Sequence, residues 1–405
     1  MSILLKKQML WSLVDKIIKA VAAIISLSLV SKSLAITNFG DYVTLISLGG
    51  VFLALTNIGS ESLIPKLVAN NETLNEFIFL KIAASFFFGF IFIIICTIAY
   101  PSIDFFYLAL FSANFLFVFF SYNEFIYIQK GKVEIFSKIS IFIQITSLFI
   151  KFLYVYNDGT SMWFWLVILS SEYLSLGLLT HYALRQKVSI KGLDFLKVKK
   201  IASDVMYISL SSVAIAAYMR IDTLMISYFL GSDEAGKYFA GARLSEGVYF
   251  IGIALASILY SYTLNNKSNT TIVKKSIARC LIFLMFLGFI GTILINFISD
   301  AAIIFLYGDG YYESAKVLAI HSTSIMFVFA GGYLSRLYIN CGFAKKNLRR
   351  TIIALLTNII LTYILIPRFG IVGAAYATVI SQIMSSFLLF MIDRVFVVRL
   401  LKGVV

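Results

Sequence analysis

A few ionisable residues lie inside long apolar runs, where an uncompensated charge is expensive and each is therefore a candidate for function. Asp15, Lys16 and Lys19 fall in the first run, with Asp15 and Lys19 four apart and so on one helical face. Glu172 sits in "LVILSSEYLSLGLL" with no cation nearby on its own segment. Arg220 and Asp222 are two apart, so they leave different faces of one helix and do not neutralise each other there. Arg243 and Glu246 are three apart and share a face; Arg336 stands alone in "YLSRLYIN". Arginine offers a planar donor fork that binds phosphate oxygens two at a time. Lys19, Arg220, Arg243 and Arg336 are thus candidates for holding an anion in a low dielectric. Asp15, Glu172, Asp222 and Glu246 are candidates for ion coupling or for pairing with those cations. Asn114 and Gln144 offer hydrogen bonds to a polar ligand, and equally serve as glue between helices. The plainer alternatives are an intrahelical Asp15–Lys19 pair with snorkelling lysines, and a structural Arg243–Glu246 pair.

A second motif asks for a different chemistry. "GSDEAGKY" (231–238) fits the nucleotide-binding pattern G-x-x-x-x-G-K and departs from it at Tyr238, where Ser or Thr is needed for Mg²⁺. Asp233 and Glu234 would repel phosphates, so the nucleotide reading fails. A better account is repetition. Gly236 minus Gly40 gives an offset of 196, and the same offset carries Tyr42 onto Tyr238, Leu34 onto Leu230, Ser31 onto Ser227 and Ala20 onto Ala216. What repeats is a helix-opening turn, with Tyr expected to anchor at the membrane interface.

The elements that must position these residues follow from composition. Of 405 residues 60% are hydrophobic and 13% charged, with a mean hydropathy of +0.93. No water-soluble fold of this length buries that much apolar surface. Runs of roughly 20 apolar residues recur about twelve times, near 10–34, 41–65, 76–100, 104–128, 135–155, 160–184, 204–230, 236–262, 275–299, 313–342, 349–367 and 371–395. They are continuous rather than alternating, which excludes a β-barrel. The first follows Lys6 and Lys7 and reads as a span rather than a short cleavable segment. Alternate connectors are basic, around Lys130–Lys138, Arg185–Lys200, Lys267–Lys275 and Lys345–Arg350, while the others ("YPSID", "NDGTS", "GSDEAGK") are neutral or acidic. The basic set is expected in the cytoplasm, with both termini. The net charge of +14 is then a topology signal and no footprint for nucleic acid. Cys96, Cys280 and Cys341 lack any ligand or disulfide spacing, and only His181 and His321 are available, so no metal and no cofactor is expected. His321 is expected near the outer interface.

The predicted fold is an all-α integral membrane protein of about twelve transmembrane helices in two six-helix lobes. A repeat of six, an even number, relates the lobes by a pseudo-twofold axis along the membrane normal. The lobes are 1–184 and 204–405, joined by a basic cytoplasmic linker, 185–203. "YMRIDTLMISYFLGSDEAGKYFAGARLSE", "IFLYGDGYYESAKVL" and "LIPRFGIVGAAYATVIS" resemble, in order and spacing, the seventh and eighth helices, the turn before the tenth and the turn opening the twelfth in a known family. On them the whole chain resembles the Wzx-type polysaccharide flippases of the multidrug/oligosaccharidyl-lipid/polysaccharide exporter superfamily. The resemblance implies transport without covalent catalysis. Its substrate would be an undecaprenyl-pyrophosphate-linked oligosaccharide, moved across the bacterial inner membrane by alternating access for O-antigen, lipopolysaccharide or a related surface glycan. It implies a polysaccharide polymerase and a chain-length regulator as partners, besides the lipid bilayer. Two alternatives stay open: a cation-coupled multidrug exporter of the sister branch, and an integral-membrane glycan polymerase, ligase or acyltransferase. The short outer connectors weigh against the enzymes.

Overall fold

The computed structural model describes residues 3–57, 60, 64, 74–184, 193–265 and 270–388. Residues 185–192 of the basic linker, Lys267 and the end of the last expected span lie outside the described residues. Among those described there is no β-strand. That follows from continuous apolar runs, since in lipid each backbone polar group must be satisfied within its own segment. The chain divides into two compact units, Met1–Ala216 and Ala217–Val405.

The first unit contains α1 (Ile3–Ser33), α2 (Ile36–Thr56), α3 (Leu74–Ala99) and α4 (Phe105–Val118). A 3-10 turn leads from α4 into α5 (Tyr122–Gln129), followed by α6 (Val133–Tyr156), α7 (Met162–Leu184) and most of α8 (Phe195–Tyr218). Its starts are set by capping where Asp is present: the Asp104 carboxylate accepts from the Phe106 N–H at 2.8 Å and Asp194 from that of Leu196 at 2.9 Å. Phe92 is the hub of its core, 5.2 Å from the rings of Phe111 and Phe115 and 5.8 Å from that of Phe52. A second cluster joins Ile64, Phe77, Ile78, Tyr122 and Ile126 to Ile201, which holds the early part of α8 to this unit.

The second unit contains α9 (Ile221–Leu230), α10 (Ser232–Asn265), α11 (Thr270–Tyr307), α12 (Ser314–Ser322), α13 (Ser324–Asn340) and α14 (Ala344–Ile383). The last is two helices joined at a kink: Pro367 removes a donor and Gly370 adopts φ 57°, ψ −141°. Beyond the kink a Cβ on Gly373 would lie 2.4 Å from the Leu365 carbonyl oxygen. The Pro, the Gly and the second Gly of "LIPRFGIVGAAY" each have a backbone reason.

Among the described residues eight helices are long and apolar enough to cross a membrane, or ten when two bent pairs each count as one span. The pairs are α8 with α9, bent by 50°, and α12 with α13, bent by 42°. Adding α1, with its internal charges, and the division of α14 at its kink reaches the expected twelve. Phe86, Phe87, Phe90 and Ile98 on α3 and Ile282, Phe286, Leu294 and Phe297 on α11 are exposed, a distribution that a bilayer stabilises and water does not. The repeat is visible at the helix ends: Ile36 opens α2 and Ser232 opens α10, and 232 minus 36 is again 196.

Candidate functional site

The bend before α9 places the first group of charges. Arg220 is the N-cap residue of α9, with φ −131°, so its side chain departs from a break rather than from a regular turn. Its Nη1 donates to Glu246 Oε2 on α10 at 3.1 Å and to its neighbour's carbonyl, Met219 O, at 3.2 Å. Arg243 Nη1, one turn before Glu246, donates to the same Oε2 at 2.8 Å. Both guanidinium groups lie over the Phe239 ring, at 5.7 and 6.0 Å. Two guanidinium groups, Arg220 mostly buried and Arg243 more exposed, share one carboxylate, with Asp222 within electrostatic reach of Glu246; their unused N–H donors suit an anion. The Arg243–Glu246 pair is present, and Arg220 joins it from another helix.

In the first turn of α9, Asp222 is buried among hydroxyls. Tyr238 OH donates to its Oδ2 at 2.8 Å and Thr378 Oγ1 to the same oxygen. Asn358 Nδ2 donates to Thr378 at 3.3 Å, Thr362 donates to Asn358 Oδ1 at 3.2 Å, and Tyr218 and Ser381 share a hydrogen bond of 3.0 Å. Asp222 Oδ1 has no partner, and no cation pairs with this carboxylate among the described residues. Such a half-satisfied buried carboxylate is costly and marks a place where a proton or cation would be stabilised.

Two expectations change here. Tyr238 and its repeat mate Tyr42 are not interfacial anchors but are 2% and 7% exposed. Both point inward from the first turns of their helices, Tyr238 to Asp222 and Tyr42 to within electrostatic reach of Glu172. His321 is not interfacial either: it is buried, with Nδ1 hydrogen-bonded to Ser245 Oγ at 2.6 Å and its ring stacked on Tyr249. Around Gly231, at φ 92°, the "GSDEAGKY" stretch is a helix–turn–helix. Lys237 bridges Glu234 and Glu313, at 2.8 Å each, which leaves nothing of a phosphate loop.

In the first unit Lys19 pairs with Asp15 at 2.9 Å and lies 5.3 Å from the Phe136 ring of α6. Glu172 finds its cation on α6: Lys151 Nζ is 2.6 Å from Oε1, with Ser147 donating to the same oxygen and Ser26 of α1 receiving a 3.0 Å bond from Lys151. Lys19, Gln144 and Glu172 meet at a cavity of about 280 Å³ within this unit. Asn114 does not reach it; buried on α4, it donates to the Phe111 carbonyl of its own helix at 2.7 Å. Arg336 lies half-buried on α13, four residues before that helix ends, and does not join the Glu246 group.

Sequence reasoning missed Lys151, Lys81 and Arg350. Lys81 is fully buried on α3, donating to Asn57 Oδ1 at 3.1 Å and Ser60 Oγ at 3.0 Å. Arg350, read as part of a basic connector, is 8% exposed and donates to the Ser385 carbonyl. A charge count per span would have flagged the two lysines; nothing in the sequence distinguishes Arg350 from its exposed neighbours.

The structure is that of a polytopic helical membrane protein, and its fold recurs in solved flippase and multidrug-transporter structures. The chain is similar to lipid II flippase MurJ in an inward closed conformation, with a TM-score of 0.73, 97% of this chain and 91% of that one covered, and 16% identity. An inward-facing multidrug resistance MATE family transporter of the MOP superfamily gives 0.68 over 96% of each chain at 14% identity. The Vibrio cholerae MATE transporter VcmN gives 0.64 over 96% and 95% at 11%. At these identities the likeness is one of fold. By sequence, the capsular polysaccharide biosynthesis protein CapF of Staphylococcus aureus is 30% identical over 112 residues, 27% of this chain and 28% of that protein. The uncharacterized membrane protein MJ1375 of Methanocaldococcus jannaschii is 26% identical over 176 residues, 44% and 41% of the two chains. The alignments thus span under half the length of these relatives, and no family model matches the chain.

Proposed function

We propose that the chain is a flippase that carries an undecaprenyl-pyrophosphate-linked oligosaccharide from the cytoplasmic to the outer leaflet of a bacterial inner membrane. Alternating access through a charged cavity is its mechanism, and its termini are cytoplasmic. The observation that carries this reading is the pair Arg220 and Arg243 sharing the single carboxylate of Glu246. A diphosphate crossing a low dielectric must replace its hydration, and a surplus guanidinium charge is the group to do so. The local similarity to a protein named for capsular polysaccharide biosynthesis points to a surface glycan, O-antigen or a related polymer. Lys19 and Arg336 act as further substrate contacts, and a polysaccharide polymerase and chain-length regulator act downstream. Asp222, with its unpartnered oxygen, is the coupling group.

The test is a gene deletion scored for surface glycan and for undecaprenyl-linked repeat units. Glycan loss with single repeat units held on the cytoplasmic leaflet is the expected result. Repeat units that still reach the outer leaflet would refute the flippase. One observation favours a second reading, a cation-coupled multidrug exporter: Asp222 is a buried carboxylate with no counter-cation among the described residues. An unchanged glycan with lowered drug resistance in the same strain would select it.

A further inference from the structure

The cavity in the first unit is not used by the anion site, which lies wholly in the second. We infer that it is a pocket for a single sugar ring, a neutral pyranose of the transported glycan. This deepens the flippase reading and rests on it for the source of the sugar. Three properties of the walls lead there. The first is size: about 280 Å³ is just under the ~300 Å³ at which pockets for drug-sized molecules begin, and leaves room for one ring-sized group. The second is charge. The two strong charges on the walls are already paired, Lys19 with Asp15 at 2.9 Å and Glu172 with Lys151 at 2.6 Å. Glu124 adds a further carboxylate to the lining. A phosphate would meet two carboxylates, and a lipid tail would lie against a lining that carries an amide, hydroxyls and charges.

The third property is the set of hydrogen-bonding groups left over. Gln144 lines the cavity and makes no hydrogen bond among the described residues, and the Ser121 Oγ is buried without a partner. An amide, a hydroxyl and carboxylate edges are what vicinal sugar hydroxyls require, because each supplies or accepts hydrogen bonds in pairs. The same lining includes Phe117, Phe120 and Phe136, which offer apolar surface to the C–H face of a pyranose. Phe120 is held by stacking on Phe119 at 4.0 Å, and Phe136 lies under the Lys19 ammonium. The pocket lining thus combines polar groups with unmet hydrogen bonds and aromatic rings, within one unit.

The experiment uses the full chain in lipid nanodiscs and saturation-transfer NMR with a panel of methyl glycosides: hexoses, N-acetylhexosamines and 6-deoxyhexoses. At least one glycoside is expected to receive saturation. Gln144→Leu should cut that signal roughly fivefold, the loss of one or two hydrogen bonds, while Thr97→Ala on the exposed side of α3 leaves it unchanged. Because Gln144→Leu could misfold, a diazirine derivative of the binding glycoside is also cross-linked to the wild-type protein and the adduct mapped. Adducts on 117–136 or 172–180 support the pocket. No signal from any glycoside, adducts elsewhere, or displacement by an equal concentration of tetraphenylphosphonium would overturn it. The two readings separate cleanly. Glycoside binding here in a protein whose deletion does not block flipping removes the flippase and keeps the pocket; a flipping block without glycoside binding does the reverse.

Discussion

Replacing Lys151 by Met should strongly destabilise the protein. The Lys151 and Glu172 side chains are 8% and 14% exposed and 2.6 Å apart, so water does little to screen either charge. Lys151→Met keeps the volume and leaves Glu172 with a single hydroxyl, that of Ser147, in an apolar setting. Breaking a buried pair from one side costs about 3–5 kcal/mol. At ~2–4 °C per kcal/mol for a unit of this size, the melting midpoint should fall by roughly 6–20 °C. The double variant Lys151→Met/Glu172→Gln removes both charges, and its orphaned hydroxyls can turn back to carbonyls of their own helices. It should recover to within about 2 kcal/mol of the parent, and so be more stable than Lys151→Met alone by at least ~1–3 kcal/mol. The assay is thermal loss of the monodisperse peak in detergent for the parent, both single variants and the double. A double variant no more stable than Lys151→Met would refute the reasoning, since the cost would then come from packing and not from stranded charge.

Three further outcomes follow from the geometry. Arg220→Ala should lower surface glycan at least about tenfold with normal membrane levels, and Arg220→Lys should restore only part of it, because an ammonium lacks the bidentate fork; full rescue by Lys would contradict the phosphate role. Asp222→Asn keeps the shape of the hydroxyl network while removing an unpaired buried charge, so the protein should be equally or more stable yet lose any response of transport to ionophores. Among glycines, Gly231→Ala should cost ~1–2 kcal/mol because its φ of 92° is left-handed. Gly50→Ala, in a helix with nothing within 4 Å, should gain about 0.5–1 kcal/mol; thermal midpoints of the two variants check both signs.

The helices were legible because their signal is collective: twenty apolar residues in a row outweigh any local ambiguity. The Gly-x-Tyr repeat was legible as a helix start because register survives in the sequence, although α2 and α10 open four to five residues before the expected 41 and 236. Its tyrosine was misread for a physical reason. An amphipathic ring suits a membrane interface and a buried hydrogen bond equally well, and only the Asp222 carboxylate at 2.8 Å decides between them. Glu172 was singled out for lacking a cation on its own helix, with ion coupling and a partner on another helix both open; Lys151 lies across a helical hairpin and no spacing rule on one helix reaches it. The sequence separated Arg220 from Asp222 correctly, by facing direction. It could not reveal that Arg220 sits at a 50° bend, because no proline or glycine marks that break. Lys19, Gln144 and Glu172 were singled out one by one, but the cavity they share was not legible, because it is assembled from α1, α4, α5, α6 and α7.

The buried ion pairs have a bearing on how the chain is made. Asp15–Lys19 and Lys151–Glu172 close within the first unit, and Arg220, Arg243 and Glu246 within the second. During synthesis the amino-terminal spans leave the ribosome first, and their lysines and carboxylates meet partners encoded upstream of Ala216. The nascent half can neutralise itself in the bilayer before the other half is translated. Insertion then never has to hold a lone Lys151 or Glu172 in hydrocarbon while awaiting a partner some two hundred codons away.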